Sequence, residues 1–137
     1  MMNIEFSFII VDDSELDCYV TKKFLELTND NVIVKPFHNA NDALKFIQKN
    51  DSGIGTFPTI ILLDLQMPGM TGFNFVEEFE KLSTAIQENY IVIILTVLSF
   101  TSDPNNIQRI LRYRVVNSVI EKPLTQEKLL ELLNQVS

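Results

Sequence analysis

Charged and hydroxyl side chains follow the apolar runs of this 137-residue chain at the points where strands would end. They are Asp12 and Asp13 after the first run, Asp64 after the third, Thr96 after the fourth and Lys122 after the fifth. Asp64 follows four consecutive Ile or Leu residues, and a carboxylate at the mouth of a buried strand is costly unless it is paired or binds a metal. The joint placement of all five residues therefore predicts one site. Locally, capping of the first helix explains Asp12 and Asp13 equally well.

The charges of these residues indicate a divalent cation. Three carboxylates and one ammonium group sum to −2, and like charges in a cleft repel unless a cation intervenes. Mg²⁺ suits oxygen ligands best and leaves a position for a phosphoryl oxygen. Asp64 is then the candidate nucleophile, since a carboxylate forms an acyl phosphate. Mg²⁺ and Lys122 would offset the charge of the transferred group, and the Thr96 hydroxyl would donate a hydrogen bond to it.

The elements that must position these residues alternate between strand and helix. Apolar runs at 6–11, 59–63 and 90–95 favour strands buried on both faces, 31–37 favours an edge strand, and 115–120 makes a fifth. Leu16, Val20, Phe24 and Leu27 form one apolar stripe of a first helix, and four further helical patterns follow the later strands. Five such alternations predict parallel strands with helices on both faces, and sites at the carboxyl ends of the strands.

Composition bounds the class of protein. With 46% hydrophobic residues the chain is expected to form one domain with a real core. Its net charge of −7 disfavours direct binding to nucleic acid, and its single cysteine, Cys18, excludes an internal disulfide. No apolar stretch approaches the length of a membrane span, and the first residues do not resemble a secretory signal. We therefore expect a soluble, cytoplasmic domain without a membrane partner.

Four segments, in this order and spacing, resemble the receiver domain of two-component response regulators. They are Val11-Asp12-Asp13-Ser14, Leu62 through Gly72, Ile94-Leu95-Thr96 and Glu121-Lys122-Pro123-Leu124. The resemblance covers nearly the whole chain. It implies an α/β, flavodoxin-like (βα)5 three-layer sandwich with a parallel five-stranded sheet in the order 2-1-3-4-5. It also implies that residues 1–137 form one receiver domain with no output domain.

The resemblance assigns a role to each candidate residue. Asp64 matches the phosphoacceptor, Thr96 the switch hydroxyl and Lys122 the phosphate-contacting lysine. Asp12, Asp13 and Asp64, with the backbone carbonyl of Gln66, match the Mg²⁺ ligands. The implied donor is the phosphohistidine of a sensor histidine kinase. The receiver itself catalyses transfer and later hydrolysis, and is not an enzyme otherwise.

The resemblance further implies that an unknown downstream protein binds the face made by the fourth helix, fifth strand and fifth helix. Arg109, Arg112 and Arg114 cluster around that fourth helix, where an ordinary solvated face is the alternative interpretation.

Three residues depart from the family pattern. Val119 stands where a Tyr or Phe usually rotates together with the threonine, which puts an aromatic switch in doubt. Val115-Val116 replaces a common Gly-Ala pair before the fifth strand. Val97 follows Thr96 where a small residue usually leaves access to the phosphorylation site.

Other functions remain open on the sequence alone. Within the family, the chain could be a phosphorelay intermediate that passes its phosphoryl group to a histidine phosphotransfer protein, or a receiver cut from a hybrid kinase. An aspartyl-phosphate phosphatase usually has an acid/base aspartate two residues after its nucleophile, where Gln66 stands here. A flavin carrier would need a phosphate-cradling loop after the first strand, where Asp12 and Asp13 would repel phosphate.

Three other features are expected to be structural. His38 follows the weak second strand and is interpreted as a loop histidine, and Cys18 as a partly buried thiol. Phe73, Phe75 and Phe79 are spaced too irregularly for one stripe, so one of them is expected at the surface.

Overall fold

A computed structural model describes residues 6–28, 31–50, 53–54, 58–65 and 71–136. The strands within these ranges are β1 (Ser7–Val11), β2 (Ile33–Phe37), β3 (Thr59–Asp64), β4 (Tyr90–Thr96) and β5 (Val116–Glu121). The helices are α1 (Glu15–Thr28), α2 (Ala40–Lys49), α3 (Gly72–Glu80), α4 (Thr84–Gln87), α5 (Leu98–Thr101), α6 (Pro104–Leu111) and α7 (Gln126–Val136). The short helices α4 and α5 were not predicted.

The five strands form one parallel sheet in the order β2-β1-β3-β4-β5, which confirms the predicted flavodoxin-like arrangement. Every residue of β1 and β3 is buried, as expected for unbroken apolar strands covered on both faces. β2 is an edge strand and carries Lys35 and Pro36 exposed, which suits a position where one side of the backbone needs no partner.

A separate apolar core covers each face of the sheet. Ile9, Ile61 and Val92 belong to the core beneath α2, α3 and α6, whereas Ile10, Leu62 and Ile93 belong to the core beneath α1 and α7. Because side chains alternate along a strand, neighbouring residues of one run serve opposite cores. The helices in the described ranges are all too short or too polar to cross a bilayer.

The predicted apolar stripe of α1 is present, but three of its four residues do not face the sheet. Cys18 and Leu25 are the residues of α1 that are buried, while Leu16, Val20 and Leu27 are 70%, 51% and 87% exposed. At about 100° per residue, these three point roughly 160–180° away from Cys18. Phe24, the fourth residue of the stripe, is partly buried against the core, so the stripe runs mostly along the outer side of α1.

The expectation that one phenylalanine of α3 is exposed was also wrong. Phe73, Phe75 and Phe79 are all buried. Phe75 and Phe79 stack on each other, while the Phe73 ring lies 5.8 Å from that of Tyr113. Aromatic neighbours on two sides bury more of α3 than one face against a sheet would.

Candidate functional site

Three carboxylates meet at the carboxyl edge of the sheet. Asp12 and Asp13 directly follow β1, and Asp64 ends the neighbouring strand β3. One carboxylate oxygen from each lies within 4.8 Å of the others. Asp12 and Asp64 are only 4% and 6% exposed, whereas Asp13 is exposed. The structure therefore brings together the three predicted acidic residues.

Capping of α1 does not explain this acidic group. The Ser14 hydroxyl accepts a hydrogen bond from the Asp17 backbone N–H at 3.1 Å, the usual contact of an N-terminal cap. Asp12 Oδ1 accepts from the Ser14 backbone N–H at 3.0 Å, which fixes the turn between β1 and α1. The cap is Ser14, and capping gives no account of Asp13.

Lys122 directly follows β5, and its side chain contacts two of these carboxylates. Its Nζ is 3.3 Å from Asp64 Oδ1, 3.5 Å from Asp12 Oδ2 and 3.8 Å from Asp17 Oδ2. Its backbone N–H donates to the Thr96 carbonyl at 2.7 Å, which ties the residue to the end of β4. Burial lowers the pKa of Lys122, but the charges of Asp64 and Asp12 outweigh it, so the pKa is raised and the side chain stays cationic.

Asp17 was missed by the sequence reasoning. It lies in the first turn of α1, four residues after Asp13, and that closeness to the acidic pair was the signal that could have found it.

Thr96 is the last residue of β4, and its polar side chain is buried. It is 2% exposed, and among the described residues its hydroxyl has no hydrogen-bond partner. A buried polar group left without a partner costs about 1–3 kcal/mol. Asp64 pairs with Leu95 across β3 and β4, so Thr96 is the residue directly after the strand partner of Asp64. Such a hydroxyl can donate to an oxygen that arrives at Asp64.

Gly72 lets α3 begin directly against the end of β3. A Cβ at this position would lie 2.7 Å from Leu65 Cα and 2.8 Å from the Asp64 carbonyl oxygen, closer than real Cβ contacts. The Gly72 backbone N–H donates to the Leu65 carbonyl at 3.1 Å. Thr71 caps α3 in a reciprocal box with Asn74.

The other residues singled out in the sequence lie around the site or outside the described ranges. Gln66, the predicted carbonyl ligand, lies outside the described residues. Val97 and Val119 are half-buried. His38 is an exposed residue after β2, and its Nδ1 lies 3.3 Å from the Asp12 carbonyl oxygen. Cys18 is buried, 3% exposed.

An apolar groove adjoins the site. Its apolar lining comes from α1, the end of β4 and the chain after Lys122, and consists of Leu16, Val20, Phe24, Leu95, Pro123 and Leu124. Asp12, Asp17 and Lys122 line the same groove. The outward face of α1 is thus continuous with the charged cluster.

The arginines predicted around the fourth helix are at the surface. Arg109, Arg112 and Arg114 are all exposed, and the Arg109 guanidinium lies over the Phe73 ring at 3.8 Å from its centroid. This stacking holds one of the three charges against the junction of α3 and α6.

The sheet order and the cluster at its carboxyl edge define a flavodoxin-like domain of the receiver class. The family model described as the response regulator receiver domain matches residues 8–134. The chain belongs to this family, whose members are signalling modules of two-component systems. Receiver domains bind Mg²⁺ at an acidic pocket and interact with histidine kinases.

One solved structure agrees with this assignment, and two others agree with the fold. A response regulator receiver protein from Dyadobacter fermentans is 30% identical, with a TM-score of 0.78 over 95% of this chain and 96% of that one. A two-component response regulator from Cytophaga hutchinsonii gives a TM-score of 0.80 at 23% identity, over 96% of both chains. Chemotaxis protein CheY4 of Vibrio cholerae gives 0.76 at 24% identity, over 98% of this chain and 100% of that one.

A curated relative matches over a shorter stretch. The probable C4-dicarboxylate response regulator DctR of Halalkalibacterium halodurans is 33% identical over 78 residues. That match covers 57% of this chain and 30% of the relative, so the chain spans under a third of that protein's length.

Proposed function

We propose that Asp64 accepts a phosphoryl group from the phosphohistidine of a histidine kinase and that this modification changes binding to a protein partner. The observation that carries the proposal is the contact of Lys122 Nζ with Asp64 Oδ1 at 3.3 Å, beside three carboxylates that converge within 4.8 Å. A buried nucleophilic carboxylate next to a fixed cation suits a group whose transfer develops negative charge.

The residues present fit a Mg²⁺ ion. Asp12, Asp13 and Asp64 offer hard oxygen ligands, and with Lys122 they leave a charge of −2 for a divalent cation to neutralise. The backbone carbonyl of Gln66 remains a predicted further ligand. When bound, Mg²⁺ supplies positive charge that offsets the charge of the phosphoryl oxygens.

Transfer requires one bond to form and one to break. A carboxylate oxygen of Asp64 attacks phosphorus, a P–O bond forms, and the P–N bond to the donor imidazole breaks. The departing ring nitrogen takes up a proton and leaves as neutral histidine. Hydrolysis later replaces the P–O bond to Asp64 with one to water, and releases inorganic phosphate. Lys122 holds its proton throughout, because its raised pKa keeps it cationic.

Thr96 and Lys122 are expected to respond to the new group. A phosphoryl group brings negative charge and three acceptor oxygens. The Thr96 hydroxyl, unpartnered among the described residues, donates to one of these oxygens, and Lys122 contacts another. The threonine thereby gains a hydrogen bond that no described residue provides in the resting state.

The donor approaches along the groove beside α1. A histidine side chain carried on another protein must bring its ring to Asp64, so its carrier must cover the adjacent surface. Leu16 and Val20 are more than half exposed there, and they offer apolar area to such a partner. Output is proposed through the face of α6, β5 and α7, where Arg109 and Arg112 are exposed. The partner is a protein, since the net charge of −7 disfavours nucleic acid.

Acetyl phosphate labelling tests the proposed phosphoacceptor. With Mg²⁺ and acetyl phosphate, the intact protein should gain the mass of one phosphoryl group, located at Asp64 by mass spectrometry. Asp64→Asn should gain none, while Asp103→Asn, which alters an exposed helix cap, should label like the wild type. An unlabelled wild type, or equal labelling of Asp64→Asn, would contradict the proposal. Turnover of p-nitrophenyl phosphate would favour a phosphatase instead.

A further inference from the structure

The short helix α5 begins two residues after Thr96, and a side-chain hydrogen bond joins it to β5. We propose that Thr101 and Glu121 form a clasp that holds α5 in its resting position and thereby opposes phosphorylation of Asp64. The inference rests on the proposed phosphoacceptor function. It identifies a positioning device that acts through Thr96, since neither residue of the clasp contacts the acidic cluster in the described structure.

The clasp joins two elements that are distant in sequence. The Thr101 hydroxyl donates to Glu121 Oε1 at 3.0 Å in a partly buried position. The Leu98 carbonyl, one turn earlier, is the other acceptor in reach, at 3.2 Å. The single hydroxyl proton favours the carboxylate, because hydrogen bonds to ionised acceptors are the stronger kind. The bond thus ties the end of α5 to the last residue of β5.

Glu121 lies beside the residue that must move. In the pairing of β4 with β5, Glu121 is the direct partner of Thr96. Its backbone carbonyl accepts from Lys128 Nζ at 2.8 Å, which fastens this end of β5 to α7. Glu121 is therefore a fixed anchor, and the movable part of the clasp is Thr101.

Phe100 connects α5 to α3 and α6. Its ring lies 5.9 Å from that of Phe73 on α3, and its carbonyl accepts from Asn106 Nδ2 on α6 at 3.0 Å. Movement of α5 toward the acidic cluster must therefore carry α6 with it or break these contacts. The clasp would connect Thr96 to the surface helix α6.

The connection follows from chain geometry. On this proposal Thr96 moves toward the group on Asp64 as it gains its hydrogen bond, and residues 97–101, which are covalently attached to it, follow. Thr101 must then leave Glu121, so the clasp and the phosphoryl group stabilise different positions of α5. Two such states are linked: whatever weakens the clasp favours phosphorylation, and phosphorylation weakens the clasp. Val119 is half-buried and aliphatic, so it supplies no aromatic ring that could restrain α5.

Beryllofluoride with Mg²⁺, a mimic of the acyl phosphate, tests the inference by calorimetric titration. Thr101→Val keeps the shape of the side chain and removes the donor, and it should bind about three- to tenfold more tightly than the wild type, since one net hydrogen bond is lost from the resting state alone. Glu121→Ala should do the same, whereas Glu121→Gln, which retains an oxygen acceptor but not its charge, should fall between the wild type and Glu121→Ala. Ser102→Ala is the matched control, because its hydroxyl donates to the Ser99 carbonyl, an acceptor within α5 itself.

The double variant Thr101→Val/Glu121→Ala makes the test specific. If the two residues act as one clasp, its affinity should equal that of either single variant. Affinities that multiply, or a Thr101→Val affinity equal to or weaker than that of the wild type, would overturn the inference. So would a Ser102→Ala variant that tightens binding as much as Thr101→Val.

Hydrogen exchange separates this inference from the proposed function. The Thr101 and Ser102 amides donate to the Val97 and Leu98 carbonyls, and both should exchange several-fold faster in Thr101→Val than in the wild type. A wild type that binds no beryllofluoride would refute the phosphoacceptor function. Unchanged exchange in Thr101→Val would overturn the clasp, whatever the outcome of the binding experiment.

Discussion

Lys122 Nζ lies 3.3 Å from Asp64 Oδ1, although Asp64 ends β3 and Lys122 follows β5, a strand that is not a neighbour of β3. β4 lies between β3 and β5, so the lysine reaches across the end of β4 to the carboxylate. Thr96 occupies that strand end, and its carbonyl accepts the Lys122 backbone N–H. The cation, the hydroxyl and the nucleophile are thus held in fixed relation by three successive strand ends.

Replacing Lys122 should separate metal binding from phosphoryl transfer. Lys122→Ala removes one positive charge from beside Asp12 and Asp64, so Mg²⁺ should bind several-fold more tightly. Labelling by acetyl phosphate at saturating Mg²⁺ should nevertheless slow by about 10²-fold, because a charge that stabilises the transferred group is lost. Calorimetric titration and the labelling rate measure the two effects. Lys81→Ala, which removes an exposed lysine paired with Glu78, should change neither. Weaker Mg²⁺ binding by Lys122→Ala would contradict this account of the site.

The buried Thr96 hydroxyl should lower the free energy of unfolding of the resting protein. Thr96→Val keeps the shape of the side chain and removes a buried hydroxyl that has no partner among the described residues. The free energy of unfolding should therefore rise by about 1 kcal/mol, measured by urea denaturation. The same variant should bind beryllofluoride several-fold more weakly, since it cannot donate to the mimic. A destabilised Thr96→Val would show that the hydroxyl has a resting partner.

The sequence allowed the sheet and most of the site to be predicted, for a physical reason. Buried parallel strands read as continuous apolar runs, and their carboxyl ends must share one edge, so Asp12, Asp64 and Lys122 were expected to converge. The exposed side of α1 was misjudged because periodicity shows that a helix has an apolar stripe but not which stripe faces the sheet. The Thr101–Glu121 contact lies between ordinary polar residues twenty positions apart, and only tertiary structure brings them together.

Cys18 should be unreactive at neutral pH. Burial, with the charges of Asp12, Asp17, Asp13 and Asp64, raises the pKa of this thiol from 9.0 to about 11. The thiolate is the reactive form, so alkylation by iodoacetamide at pH 8 should be far slower in the native protein than in urea. Equal rates in both would refute the burial of the thiol.

The same raised pKa predicts a pH dependence of stability. The folded state holds the thiol proton more tightly than the unfolded state, so this contribution is complete below pH 9 and is lost as the pH rises toward 11. Urea denaturation of the wild type should therefore show a steeper fall of stability over that range than Cys18→Ala does. The cavity left by the alanine lowers stability equally at every pH and does not mask the difference in slope. Parallel curves for the two proteins would contradict the assigned pKa.

The outward face of α1 offers the sharpest test of how a kinase approaches. Leu16 and Val20 line the groove beside Asp12, whereas Leu27, 87% exposed on the same side of the helix, does not line it. Leu16→Ser/Val20→Ser should slow transfer from a phosphorylated histidine kinase at least tenfold, because apolar area is lost from the contact. Labelling by acetyl phosphate, which needs no protein contact, should stay within about twofold of the wild type. Leu27→Ser removes comparable apolar surface from the far end of the helix and should leave both reactions unchanged. Equal slowing by Leu27→Ser would place the kinase along the whole of α1, and unimpaired transfer to the double variant would place it elsewhere on the receiver.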